Sequence, residues 1–221
     1  MNCDEIVIKN CSRLKQIHWN AFGKQTDKIS QFNIWPKVPN LISKPDSNYD
    51  LMKLINSLVN CQIVSLIPFH HEIQPLKLKK LTKFILKGLK SSIKITSICD
   101  YAFYECDSIQ WIDLSENNIN NISENAFHFK TKCHQNKLEI CLTNNHLDEL
   151  SFAINSLTKF NKPTELYLWG NNIIYLDEQV FKPFLDVNKS NTIEIDKRYF
   201  DLNNQNNQWT EDIHFEGIHI K

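Results

Sequence analysis

Glycine and proline are scarce, four and seven residues in a chain of 221, and 42% of the residues are hydrophobic. That is the composition of a folded chain and not of a disordered one. A charge surplus is missing too, since Lys+Arg and Asp+Glu both total 25. No excess of positive charge is available to release counterions from phosphates, which argues against nucleic-acid binding. No apolar run approaches about 18 residues, so nothing in the sequence reads as a membrane span. Catalytic signatures are absent as well: H-E-x-x-H, G-x-S-x-G, a Walker loop and a dinucleotide fingerprint do not occur. His70, His71 and Glu72 fall in a proline-flanked return, His214 and His219 stand in the C-terminal tail without a ligand cluster, and Cys133-His134 lacks a third group to orient a base. The expectation is a protein without metal, cofactor or enzyme activity.

What the chain does have is a repeating apolar series, clearest in IQWIDLSENNINNISENAF, residues 109–127. Ile109, Ile112, Leu114, Ile119 and Ile122 follow neither a 3.6-residue helix nor a plain alternation, and Asn117 stands inside the series. Ile112 and Leu114 alternate as in a short strand, and the later residues turn the chain back so that Ile119, Ile122 and Phe127 enter the same core. The stretch resembles the leucine-rich repeat, L-x-x-L-x-L-x-x-N-x-L. The resemblance implies an α/β solenoid, a horseshoe with a parallel concave sheet and an irregular, short-helical convex side.

The series recurs along the chain. Its first coil carries Cys3, Ile6, Ile8, Cys11, Ile17 and Phe22, and its second Ile29, Phe32 and Ile34. After WPKVP, the spacing of Leu51, Leu54, Ile55 and Leu58 predicts a helix over 49–59 behind a cap region at Asp46, Ser47 and Asn48. The third coil has Cys61, Val64 and Leu66, and the fourth Leu81, Phe84 and Leu86, with a small insertion before Ile95, Ile98 and Phe103. Beyond the central coil come Ile140, Leu142, Asn145, Leu147 and Leu150, then Leu166, Leu168, Asn171, Ile173, Leu176 and Phe181, and last Ile193, Ile195 and Phe200. The segment I-x-x-x-A-F, at Ile17, Ile98 and Ile122, returns at Leu176 with Val180 for Ala. About eight coils with a mean period near about 27 residues predict a single domain over 1–221. Asn117, Asn145 and Asn171 stand where the chain leaves the strand, suited to bonding backbone groups that the turn leaves unpaired. Coils two to four lack this residue, so the N-terminal half should be the less regular.

The Phe-containing coils resemble repeats of extracellular leucine-rich-repeat proteins, and 196–221 resembles a degenerate form of their C-terminal cap. Leu202 and Asn204 stand where the cap's cysteines would be, leaving Trp209 to shield the last coil by packing. The combination CDEIVI, ITSICDYAFYECDSIQWIDLSENNI and LDEQVFKPFLDVNKSNTIEI is also similar to secreted arachnid proteins, particularly of mites. These are described as similar to the non-catalytic subunit of Oplophorus-luciferin 2-monooxygenase. This resemblance implies family membership and no luciferase activity.

Residues 1–20 hold no apolar core of a secretory signal, so the chain is expected to be a mature or truncated secreted form or, alternatively, cytoplasmic. Asn10, Asn121 and Asn188 head sequons and would be glycosylated in a secreted form. Seven cysteines leave at least one unpaired within a chain. Cys106–Cys133 and Cys99–Cys106 are alternative pairings, and burial as free thiols is the third. Cys141 should point from the concave strand face.

Residues flanking the core pairs should project from that face: Trp35, Ile63, Ile67, Lys83, Ile85, Lys87, Trp111, Asp113, Glu139, Tyr167, Trp169 and Glu194. They predict an aromatic and acidic patch toward the C-terminal half, with Glu165 beside it, and a lysine-bearing apolar patch near the fourth coil. The function expected is non-enzymatic binding of another protein by the concave face. The non-catalytic subunit of a secreted enzyme complex, monooxygenase-like, and a structural or storage protein are the alternatives.

Overall fold

The computed structural model describes residues 4–8, 17–18, 20–34, 45–66, 71–88, 94–130, 136–160, 162–196, 209–210 and 217–220. Its strands are β1 (Glu5–Ile8), β2 (Gln31–Ile34), β3 (Ile63–Leu66), β4 (Glu72–Ile73), β5 (Lys83–Leu86) and β6 (Ser97–Ile98) in the first half. The second half holds β7 (Trp111–Asp113), β8 (Asn121–Ile122), β9 (Leu138–Cys141), β10 (Thr164–Tyr167), β11 (Thr192–Ile195) and β12 (Ile218–Ile220). Two α-helices, α1 (Pro45–Ser57) and α2 (Glu178–Val187), and a 3-10 helix, Gly23–Lys28, complete the set among the described residues.

Nine strands form one parallel sheet in the order β1-β2-β3-β5-β7-β9-β10-β11-β12, and β4-β6-β8 form a second, short parallel sheet. Each coil therefore contributes one strand to the long sheet, and three of them add a two-residue strand on the return. Parallel neighbours need a crossover, and here the crossover is the rest of the coil. The ninth strand lies within the stretch that reads in sequence as a worn cap, so the sheet extends one strand beyond the eight read from the repeat.

Register explains which residues enter the core. Phe32, Val64, Phe84, Ile112, Ile140, Leu166 and Ile193 occupy one row across the long sheet, and Ile34, Leu66, Leu86, Leu114, Leu142, Leu168 and Ile195 the next. All are buried. Behind them runs a line of phenylalanines. Phe103 and Phe127 stack at 6.0 Å with an interplanar angle of 3°, Phe127 stacks on Phe160 at 5.5 Å, and Phe160 meets Phe184 edge-on at 5.5 Å. Phe181, the last residue of the fourth I-x-x-x-A-F copy, packs instead against Phe152 at 5.1 Å.

Three local readings of the sequence change. Leu150 is not in the core: it is 83% exposed, and Phe152 takes the inward place, bridging Ile122 of the preceding coil. An Asp148 turn causes the shift, its Oδ1 accepting from Leu150 N at 3.1 Å and Ser151 Oγ at 2.7 Å and so lengthening the return. Helix α1 begins at Pro45, a residue suited to the first helical position, and ends at Ser57. Leu51, Leu54, Ile55 and Leu58 are buried, and Val59, beyond the helix, is 53% exposed. Helix α2 is a further element, capped by Asp177, whose carboxylate accepts from Gln179 N at 2.8 Å.

The three asparagines form a ladder. Asn117 Nδ2 donates to Leu86 O and Leu114 O at 2.9 and 3.0 Å, and its Oδ1 accepts from Ile95 N at 3.1 Å. Asn145 repeats this with Leu114 O, Leu142 O and Ile119 N, and Asn171 with Leu142 O, Leu168 O and Leu147 N. The residue before each has positive φ: Glu116 at 61°, Asn144 at 52° and Gly170 at 75°. At Gly170 an added Cβ would also collide with Asn144 Oδ1. The turn thus holds each amide against two coils.

Candidate functional site

With the core rows turned inward, alternation leaves two rows of the long sheet facing the other way. One reads Glu5, Gln31, Ile63, Lys83, Trp111, Glu139, Glu165 and Thr192 across successive strands. The other reads Val7, Asn33, Ser65, Ile85, Asp113, Cys141, Tyr167, Glu194 and His219. Lys87 and Trp169 stand just beyond β5 and β10. Trp35 and Ile67, read in sequence as part of this face, lie outside the described residues, as does Asn10.

The sheet joins the two patches that the sequence separates. Lys83 is in register with Trp111, and Ile85 with Asp113. Lys87 Nζ lies 3.8 Å from Asp113 Oδ2 and 4.0 Å from Glu116 Oε1. Asp113 itself is only 8% exposed, with Oδ1 accepting from Ser115 Oγ at 2.6 Å and Ser115 N at 3.1 Å. Its first task is to close the turn after β7, which removes much of its carboxylate from the surface.

Farther on, Glu139, Glu165 and Tyr167 act as one unit. The Tyr167 hydroxyl lies 2.7 Å from Glu165 Oε2 and 3.1 Å from Glu139 Oε2, a single proton facing two carboxylates on neighbouring strands. Burial and those two acceptors push the phenol above its ordinary range. Burial alone would raise Glu165, but hydrogen bonds from Lys137 and Tyr167 outweigh it and hold the carboxyl below the usual range. Lys137, which completes this group by an ion pair with Glu165, is absent from the sequence reading. It stands immediately ahead of β9. His219 is another addition, brought beside Glu194 by the ninth strand. Trp169 is 39% exposed, and Trp111 is partly exposed at the start of β7.

Thiol chemistry is muted. Cys61, Cys99, Cys106 and Cys141 are free, so neither expected pairing of Cys106 is formed. Cys106 Sγ points to Leu76 O at 3.8 Å, whereas Cys99 Sγ donates to Ile73 O at 2.7 Å. Burial, with the Glu72 and Asp100 charges behind it, pushes Cys99 up to about 11. Burial also raises Cys141, which faces outward between Asp113 and Tyr167. Such thiols stay protonated at neutral pH and are poor nucleophiles. Among the described residues no group of three or more His, Cys, Asp or Glu side chains is placed to hold a metal ion, and no helix is long and apolar enough to cross a membrane.

A buried cation also escaped the sequence reading. Lys162 is 3% exposed, and its Nζ donates to Ile109 O at 2.7 Å and Asp107 O at 3.1 Å and lies 5.5 Å from the Phe129 ring centroid. It ties the approach to β10 to the coil that carries β7. Of the sequon residues, Asn121 is exposed on β8, whereas Asn188 Oδ1 is engaged by Ser190 N at 2.9 Å. Trp209 is buried as expected but does more than pack, because its Nε1 donates to Leu176 O at 3.0 Å.

No curated protein matches this chain. Residues 78–131, spanning β5 to the end of the β8 return, match the family described as leucine rich repeat. With one parallel strand per coil in a nine-stranded sheet and few helices, the protein has the α/β solenoid fold of the leucine-rich-repeat proteins.

Proposed function

We propose that the protein is a non-enzymatic binding module that takes a protein partner on the outward, concave face of its long sheet. Leucine-rich-repeat domains generally mediate protein–protein interaction and are typically non-catalytic. The observation that supports this use of the face most directly is the placement of Trp111, Tyr167 and Trp169 on it, while the core rows hold the coils together without them. Aromatic side chains on a preformed sheet offer contact area at small entropic cost. Lys83, Ile85, Lys87, Glu139 and Glu194 frame them.

The test compares the wild type with Trp111→Ala/Trp169→Ala by cross-linking and mass spectrometry in an extract of the source organism. One species held by the wild type and lost from the variant is the expected result. Equal retention by both would move binding to another surface, and retention by neither would favour a structural or storage role. A secreted setting, with a glycan on exposed Asn121, is part of the same reading. If the captured species is an enzyme held at fixed stoichiometry, the protein is the non-catalytic subunit of a secreted complex.

A further inference from the structure

Resting on that reading of the face, we propose that the partner is a basic protein segment that presents an arginine to Trp111 and Glu139. The two side chains are register partners on adjacent strands, β7 and β9, so their backbones are about 4.8 Å apart. A guanidinium can lie flat on an indole while its N–H fork meets a carboxylate beside the ring, whereas an ammonium satisfies only one of the two at a time.

The surroundings reinforce the choice of cation. Although the chain as a whole is neutral, the next strands add Glu165 and Glu194 to the same outward rows. Tyr167 fixes Glu139 and Glu165 relative to each other through its hydroxyl, so the carboxylates are held in place before a partner arrives. Lys137 pairs with Glu165, and Glu139, the register partner of Trp111, stands outside that ion pair. Trp169, two residues beyond Tyr167, supplies a second exposed ring for the segment to continue along. Lys83 stands on the opposite side of Trp111 and opposes an incoming cation there.

The probe is a fluorescein-labelled peptide of alternating Arg and Ser, compared with its Lys/Ser and Glu/Ser counterparts by fluorescence anisotropy at low and physiological salt. The wild type is expected to bind Arg/Ser more tightly than Lys/Ser by several-fold and to ignore Glu/Ser. Glu139→Gln and Trp111→Ala should each weaken Arg/Ser binding by about tenfold, and Lys83→Ala should tighten it. Unchanged thermal melting of the variants separates lost contact from lost fold. Equal binding of Arg/Ser and Lys/Ser with no loss in Glu139→Gln would overturn the inference, as would no binding of either peptide. If the peptides fail while Trp111→Ala/Trp169→Ala still abolishes capture of a natural partner, the face remains the interaction surface and only the arginine is wrong. Failure of both measurements removes both readings.

Discussion

The two ends of the solenoid are built to different tolerances. Strands of the long sheet start at residues 5, 31, 63 and 83 in the N-terminal coils and at 111, 138, 164, 192 and 218 in the C-terminal ones. The first set is uneven because α1 lengthens one coil and the next is short; the second is nearly periodic. Asparagine separates them. From Asn117 onward a buried amide fixes the chain at each exit from β7, β9 and β10, whereas among the described residues of the N-terminal coils the core is apolar, with Leu51, Leu54 and Ile55 of α1 buried in it. A polar clamp demands a fixed length of chain on each side of it; packing of Leu and Ile against a helix tolerates insertions.

Damage to the periodic half should be severe. Phe127→Ala removes the ring between Phe103 and Phe160 and should cost about 4 kcal/mol, read from urea unfolding. Asn145→Ala leaves the buried Ile119 N without its acceptor and takes one of two amide donors from Leu114 O and from Leu142 O, for a loss of about 2 kcal/mol. Hydrogen exchange sharpens the point: in this variant the Ile119 amide should lose protection while amides of β2 keep theirs. Equal loss in both regions would mean that the two halves share one mode of stabilisation. Gly170→Ala, at φ 75°, should cost about 1.5 kcal/mol by the same urea measurement.

A smaller effect depends on pH. Glu165 is held below the ordinary carboxylate range in the folded chain, so its contribution is complete above its unfolded pKa and is lost as pH falls through the lowered folded value. The stability difference between wild type and Glu165→Gln should therefore be present at neutral pH and vanish in acid. A difference that persisted into strong acid would count against the Lys137 and Tyr167 contacts. Leu150→Ser, at an exposed position, should change stability by less than about 0.5 kcal/mol, whereas Phe152→Ser should unfold the return beside β8.

Much of the fold could be read from sequence because its apolar series has a period of its own. Residues such as Ile112, Leu114 and Ile119 fit no helix and no simple strand, and only a stacked coil puts them together. The same argument failed where a turn changed the length of a return: Leu150 has the right residue type at the right place, but Asp148 and Ser151 push it out and bring Phe152 in. The convex strands were out of reach, since two residues carry no alternation. Helix α2 did leave a signal, Asp177 ahead of Val180, Phe181, Phe184 and Leu185, that the repeat pattern masked. On the outward face, strand alternation places side chains but says nothing of their partners. Lys137 with Glu165, Lys87 with Asp113 and Lys162 with Ile109 O are contacts between coils, set by stacking distance and not by neighbours in sequence.

The ladder also has a direction. Asn117 reaches back to Leu86 and Ile95, Asn145 to Leu114 and Ile119, and Asn171 to Leu142 and Leu147; Asn191 Oδ1 accepts from Thr164 N at 2.8 Å, and Trp209 reaches back to Leu176. Every one of these bonds serves a coil made earlier by a side chain made later. During synthesis, then, no coil in this half is complete when it leaves the ribosome. Each waits about 27 residues for the successor whose side chain completes it.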